Sequence, residues 1–159
     1  MAVRSRTKKR IKEEAPAVRI DNDFHGWLLD QASALREQRS QALDWSNLAE
    51  ELEAMARKDR TELRSHLQNL LSHFLKWAYQ PSRRTNSWKA TIDASRDRIE
   101  DLLEESPSLR TELIKLFSES KAYARAVRDA VTDTGGQVHF PPQSPWTLDK
   151  ALEPDFLPD

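Results

Sequence analysis

Between Asp21 and Gly136 the chain repeats one pattern: apolar residues three and four apart, interrupted at short runs of caps, prolines and glycines. That spacing lines up one face of a helix, whereas a half-buried strand would alternate. Asp21, Asn22 and Asp23 supply N-caps ahead of Phe24, Trp27, Leu28, Gln31 and Leu35, which share a helical face. Leu43-Asp44-Trp45 opens a longer helix, with Asp44 as its cap and Glu50, Glu51 and Glu53 near its positive end. Its apolar stripe is Leu48, Leu52, Met55, Leu63, Leu67, Leu70, Leu71, Phe74, Leu75 and Ala78. Tyr79 or Gln80 must leave helical geometry, because Pro81 disfavours it in the residue before. At Arg57-Lys58-Asp59-Arg60 the stripe lapses for about a turn and a half. The helix either bends there or continues to a length of roughly 50 Å at 1.5 Å per residue.

Asn86-Ser87 caps a third helix holding Trp88, Ile92, Ile99, Leu102 and Leu103. Ser106-Pro107 starts a fourth, a cap followed by proline at the first helical position. It carries Leu109, Leu113, Leu116, Phe117, Tyr123, Val127 and Val131 and stops at Gly135-Gly136. The remainder is proline-rich, with one short turn expected after Thr147. Phe140, Trp146, Leu148, Leu152, Phe156 and Leu157 make it too apolar for a free tail, so it is expected to wrap back. The expected fold is all-α: a single helical bundle of about four main helices, one of them long, with a proline-rich C-terminal segment folded over it. No strand is expected.

Composition narrows the function classes more than it names one. A chain of 159 residues is long enough for one domain with a genuine core. It has no cysteine, which excludes disulfides, thiolate metal sites and cysteine nucleophiles. Only three glycines are present, Gly26, Gly135 and Gly136, so no glycine-rich phosphate loop is available. No apolar run reaches the roughly 18 residues of a membrane span, and no apolar signal-peptide stretch opens the chain. A cytoplasmic setting without a membrane is therefore expected.

The formal charge of −1 conceals an uneven distribution. Arg4, Arg6, Lys8, Lys9, Arg10 and Lys12 stand in the first 12 residues with no acid among them. The rest carries 19 basic and 26 acidic residues, a net of −7. Residues 1–18 are expected to be a disordered basic tail and 19–159 the helical domain.

Several blocks occur in a specific order. Asp23-Phe24 with Trp27 comes first, then Leu48-Ala49-Glu50-Glu51-Leu52-Glu53 with Met55, then His73-Phe74-Leu75-Lys76-Trp77 and Tyr79-Gln80-Pro81. Ser87-Trp88 with Thr91-Ile92, Ser106-Pro107-Ser108-Leu109, Pro145-Trp146-Thr147 and Asp155-Phe156-Leu157-Pro158 follow. In this order, over about residues 21–158, the chain resembles the bacterial family catalogued as domain of unknown function twenty-nine. The resemblance implies an all-helical bacterial protein and supplies no activity, catalytic residue or cofactor.

The residues offer three kinds of chemistry. Glu62 and His66, four apart, reach one ion from adjacent turns, with Glu51 about three turns earlier near the same face. His73 shares a face with His66 but stands two turns away, roughly 10 Å, too far for one ion. Glu51, Glu62, His66 and His73 are thus a weak metal or hydrolase set, against a surface Glu62–His66 pair and a hydrogen-bonded His73. The second candidate is an anion site on the turn after the long helix, using Lys76, Arg83, Arg84, Trp88 and Lys89. From Leu75 to Ile92 there are four positive residues and no acid, and the turn feeds a helix N-terminus. Arginines chelate phosphate and Trp88 stacks a base, unless the cations serve the helix C-terminus and the tryptophans the core. Third, Trp27, Trp45, Trp77, Trp88 and Trp146 are spread over every segment, and exposed together they would make a protein-binding surface.

No serine sits in a nucleophile elbow or a recognisable triad, so no catalytic residue is assigned, no cofactor is expected, and enzymatic activity is left open. The leading expectation is a non-enzymatic protein-binding or regulatory module whose partner is another protein. Anion or nucleic-acid binding through residues 76–89 comes second, and a metal-dependent hydrolase third; an oligomer is left open.

Overall fold

The structure, a computed structural model, describes residues 19–159. The basic tail expected over residues 1–18 lies outside the described residues. Among those described, every regular element is helical. They are α1 (Phe24–Arg36), α2 (Trp45–Tyr79), α3 (Asn86–Glu105), α4 (Leu109–Ser118), α5 (Lys121–Asp133) and α6 (Leu148–Leu152), with short 3-10 turns at Ser40–Ala42 and Pro81–Arg83. The described residues divide into two compact units, the first ending at Ala54 and the second running from Met55 to Asp159. Helix α2 is continuous through Arg57–Arg60, so the lapse in its apolar stripe does not interrupt its hydrogen bonding.

In the first unit Asp23 caps α1, accepting from the Gly26 N–H at 2.9 Å. A Cβ at Gly26 would collide with that carboxylate, which is why a glycine suits the first turn. The buried stripe of α1 is Trp27, Gln31 and Ala34; Trp27 and Gln31 belong to the expected face, whereas its Phe24, Leu28 and Leu35 are exposed. Gln31 is buried with its polar groups paired. Its Oε1 accepts from Asp44 N at 2.7 Å and its Nε2 donates to Ala42 O, so its amide is satisfied inside. Asp44 in turn accepts from Asn47 N and Nδ2, as expected of a cap, and these bonds hold its carboxyl below the usual range.

The second unit is built on the later part of α2. Leu63, Leu67, Leu70, Leu71, Phe74 and Leu75 are fully buried, repeating at three and four. Against them pack Ile92, Ile99 and Leu102 of α3, Leu109, Leu113 and Leu116 of α4, and Ala122, Tyr123, Ala126 and Ala130 of α5. The small residues of α5 face the core, which permits close helix approach. The single fourth helix expected from Leu109 to Val131 is two. Ser118 Oγ donates to Lys115 O, Ser120 N–H reaches back to Phe117 O, and Ser120 itself sits at φ 56°. Serine side chains that compete for backbone carbonyls favour a turn over another helical residue.

The C-terminal segment wraps back, as its apolar content predicts. Phe74 meets Trp146 edge-on at 5.2 Å and Phe156 at 5.6 Å. Tyr123 Oη donates to Pro141 O at 2.9 Å, and burial pushes its phenol up to about 12. Arg96 of α3 clamps the end of the chain: its Nε donates to Ala151 O at 2.9 Å, its Nη2 to Phe156 O, and its guanidinium lies 5.1 Å from the Phe74 ring centre.

Phe74→Ala is expected to cost about 3–5 kcal/mol in urea unfolding, because it opens a cavity beneath both Trp146 and Phe156. Ser120→Gly is expected to raise stability by about 0.5–1 kcal/mol, since glycine adopts the left-handed conformation without a Cβ penalty.

Candidate functional site

The five residues of the expected anion site have different surroundings. Lys76 is only 5% exposed, and its Nζ meets Asp133 Oδ2 of α5 at 2.7 Å. The same Nζ lies 3.2 Å from His73 Nε2 and 5.4 Å from the centre of the Trp88 ring. Lys76 and Trp88 are therefore brought together, in a cluster joining α2, α3 and α5. Arg84 turns back along α2, its Nε donating to Trp77 O at 2.9 Å and its guanidinium 5.2 Å from the Trp77 ring centre. Lys89 pairs with Asp93 one turn on, at 2.7 Å. Arg83 is exposed and has no side-chain partner among the described residues. The α3 cap is Thr85, whose Oγ1 accepts from Trp88 N, so the N-terminus reached by this turn already carries one side-chain acceptor.

Of the metal candidates, Glu51 belongs to the first unit and Glu62, His66 and His73 to the second. Glu62 accepts two bonds from Arg98 of α3, at 3.0 and 2.8 Å, and stands 3.9 Å from His66 Nε2. Those bonds hold the Arg98 guanidinium above its ordinary range. His73 has both ring nitrogens engaged. Asn69 O only accepts, so Nδ1 carries the proton at 2.9 Å. The Lys76 ammonium only donates, so Nε2 must be the acceptor. His73 is thereby neutral, and burial foremost, with Lys76 adding to it, keeps its pKa below the ordinary 6.5. Among the described residues no three histidine or carboxylate side chains gather as a metal set.

The apolar surface lies elsewhere. Trp45 is 63% exposed and Leu52, two turns on along α2, is 66% exposed. On α1, Phe24, Leu28, Leu29 and Leu35 are exposed as well. The first three positions of the expected α2 stripe, Leu48, Leu52 and Met55, are thus not buried, whereas Leu63, Leu67, Leu70, Leu71, Phe74 and Leu75 are. The first unit also carries 3 basic against 8 acidic side chains over residues 19–54.

The model of the family described as "Domain of unknown function DUF29" matches residues 20–157. The chain belongs to the DUF29 family. No curated protein and no solved structure matches it. Family membership brings no activity with it, so the residues carry the functional argument. Among the described residues of this DUF29 chain, no helix is long and apolar enough to cross a membrane.

Two of the structurally decisive cations were not singled out from sequence. Arg98 gives no local signal, because its partner Glu62 is 36 residues away. Arg96 does give one: it occupies the core-face position between Ile92 and Ile99, where a leucine would be ordinary.

The His73 environment predicts a pH effect. Unfolded His73 takes up a proton near 6.5, and folded His73 only below it. Protonation therefore favours the unfolded chain, and stability falls as pH drops through and below that value. Urea midpoints measured across this range should fall more steeply for the wild type than for His73→Gln.

Proposed function

We propose that this DUF29 protein is a non-enzymatic protein-binding module whose first unit receives an amphipathic, basic helix. The observation that supports this best is the exposure of Trp45 and Leu52 on one face of α2, within a unit rich in carboxylates. An exposed tryptophan on a helix face is the side chain most often found anchoring an interface. Trp45 and Leu52 are seven residues apart and Leu48 stands between them, a spacing that matches the repeat of a partner helix. Glu50, Glu51 and Glu53 flank that stripe, and Asp21, Asp23 and Asp30 stand on or before α1. With 8 acidic and 3 basic residues over 19–54, two copies of this surface repel one another, which favours a foreign basic partner over self-association.

The anion-binding alternative has less support, since Lys76, Arg84 and Lys89 each meet an acceptor within the chain. A cytoplasmic bacterial setting fits the protein-binding reading and follows from the sequence expectation alone.

Two designed helical peptides test this reading, identical in their leucine stripe but flanked by lysine in one and by glutamate in the other. The lysine peptide should bind, weaken with salt, and lose at least about tenfold in affinity with Trp45→Ala/Leu52→Ala. Equal binding of the two peptides, unchanged binding by the variant, or self-association through this face would overturn the proposal.

A further inference from the structure

Three helices of the 55–159 unit meet at one ammonium, and their contacts fit a single arrangement of protons. Lys76 Nζ is buried and has Asp133 Oδ2 at 2.7 Å, His73 Nε2 at 3.2 Å and the centre of the Trp88 ring at 5.4 Å. Asp133 is the last residue of α5, Trp88 stands in the first turn of α3, and His73 lies one turn before Lys76 on α2. Asn69 O holds the other ring nitrogen of His73 at 2.9 Å, so turning the ring would forfeit that bond. The cluster therefore requires Nε2 to be free of a proton.

Few charges act on the ring. Lys76 faces it from α2 and Asp133 from α5. Asp129, one turn earlier on α5, is engaged by Gln68 Nε2 at 2.5 Å. On α3 the charges that follow Trp88, Lys89 and Asp93, pair with each other at 2.7 Å. Asp133 is thus the carboxylate that Lys76 and His73 would have to share.

A proton on Nε2 removes the acceptor and sets two cations 3.2 Å apart beside that carboxylate. In a partly desolvated site their repulsion is several times its value in water. The Lys76 side chain, with its flexible four-carbon stem, is the group that relieves this most readily. Its departure ends both the ion pair to α5 and the contact with Trp88. None of these four residues belongs to the apolar cluster that makes the core, so the core contacts are not spent in the process.

The end of α5 has little else to hold it. Its side-chain bonds to α2 are Lys76–Asp133 and Gln68–Asp129. The apolar side chains it buries near this end are small, Ala126 and Ala130, and after Thr134 the chain leaves through Gly135 and Gly136 at positive φ. A helix end with few buried apolar contacts is where local opening costs least.

We propose that His73, Lys76 and Asp133 form an acid-operated latch: protonating His73 releases the last turn of α5 from α2 while the rest of the unit stays folded. The loss of stability in acid is thereby concentrated at one joint. The latch uses no residue of the proposed helix-docking face, so either can fail without the other.

Amide exchange of the full chain, corrected for the pH dependence of the intrinsic rate, reads the latch directly. Between about pH 7.5 and about pH 5, protection over residues 129–136 should fall at least about fivefold, while that over residues 63–75 holds within about twofold. In His73→Gln the side-chain amide oxygen accepts from Lys76 at every pH, and the selective loss should vanish. Lys76→Met removes the second cation; it should also abolish the selective loss and let His73 titrate closer to its ordinary 6.5. Equal loss in both segments, full protection of residues 129–136 at about pH 5, or a selective loss that persists in either folded variant would each overturn the proposal.

Discussion

Phe74 lies fully buried where the last turns of α2 meet the returning C-terminal segment, and the second unit depends on its ring. Its edges receive Trp146 and Phe156, and the Arg96 guanidinium lies against it. One aromatic side chain therefore sets where the chain's end must run and where a buried cation is tolerated. Edge-to-face aromatic packing adds to area burial, and a guanidinium over a ring recovers part of what its desolvation costs. The Arg96 bonds to Ala151 O and Phe156 O then close the segment onto α3. Neither group would hold that geometry alone.

Buried cations recur as the joints of this unit. Lys76 sits against Asp133, His73 and Trp88, so α2, α3 and α5 meet at an ammonium rather than at a leucine. A buried charge is stable only when paired, and the partner here is half exposed, which leaves the pair reachable by water. Burial, with the same ammonium adding to it, keeps His73 neutral. Arg96 is held in the same way: two of its nitrogens donate to carbonyls and the third lies 3.8 Å from the Asp93 carboxylate.

Helix α2 has two characters along one continuous element. Up to Met55 its large apolar side chains are exposed or half-buried among carboxylates, and from Leu63 to Leu75 they are fully buried. Periodicity reports that a helix has an apolar face; it does not report what covers that face. The lapse at Arg57–Arg60 is where the two characters meet, and it is visible in the sequence as a gap in the stripe.

By itself the sequence determined the helical class, a cap for α1 within Asp21–Asp23 and one for α2 at Asp44, the stop before Pro81, the return of the apolar C-terminal segment and the family. These follow from local rules, namely spacing, capping chemistry and proline geometry, which act within a few residues. The division at Ser120, the burial of Ala34 in place of Leu28 and Leu35 on α1, and the exposure of Trp45 and Leu52 were decided by tertiary structure. So were the partners of the candidate site residues. Lys76 and Asp133 stand 57 residues apart, and Arg96 and Phe156 stand 60 apart. Whether a lysine in a basic turn meets a phosphate or an aspartate depends on which helix packs beside it, and that is settled by burial over the whole core, not by spacing along the chain.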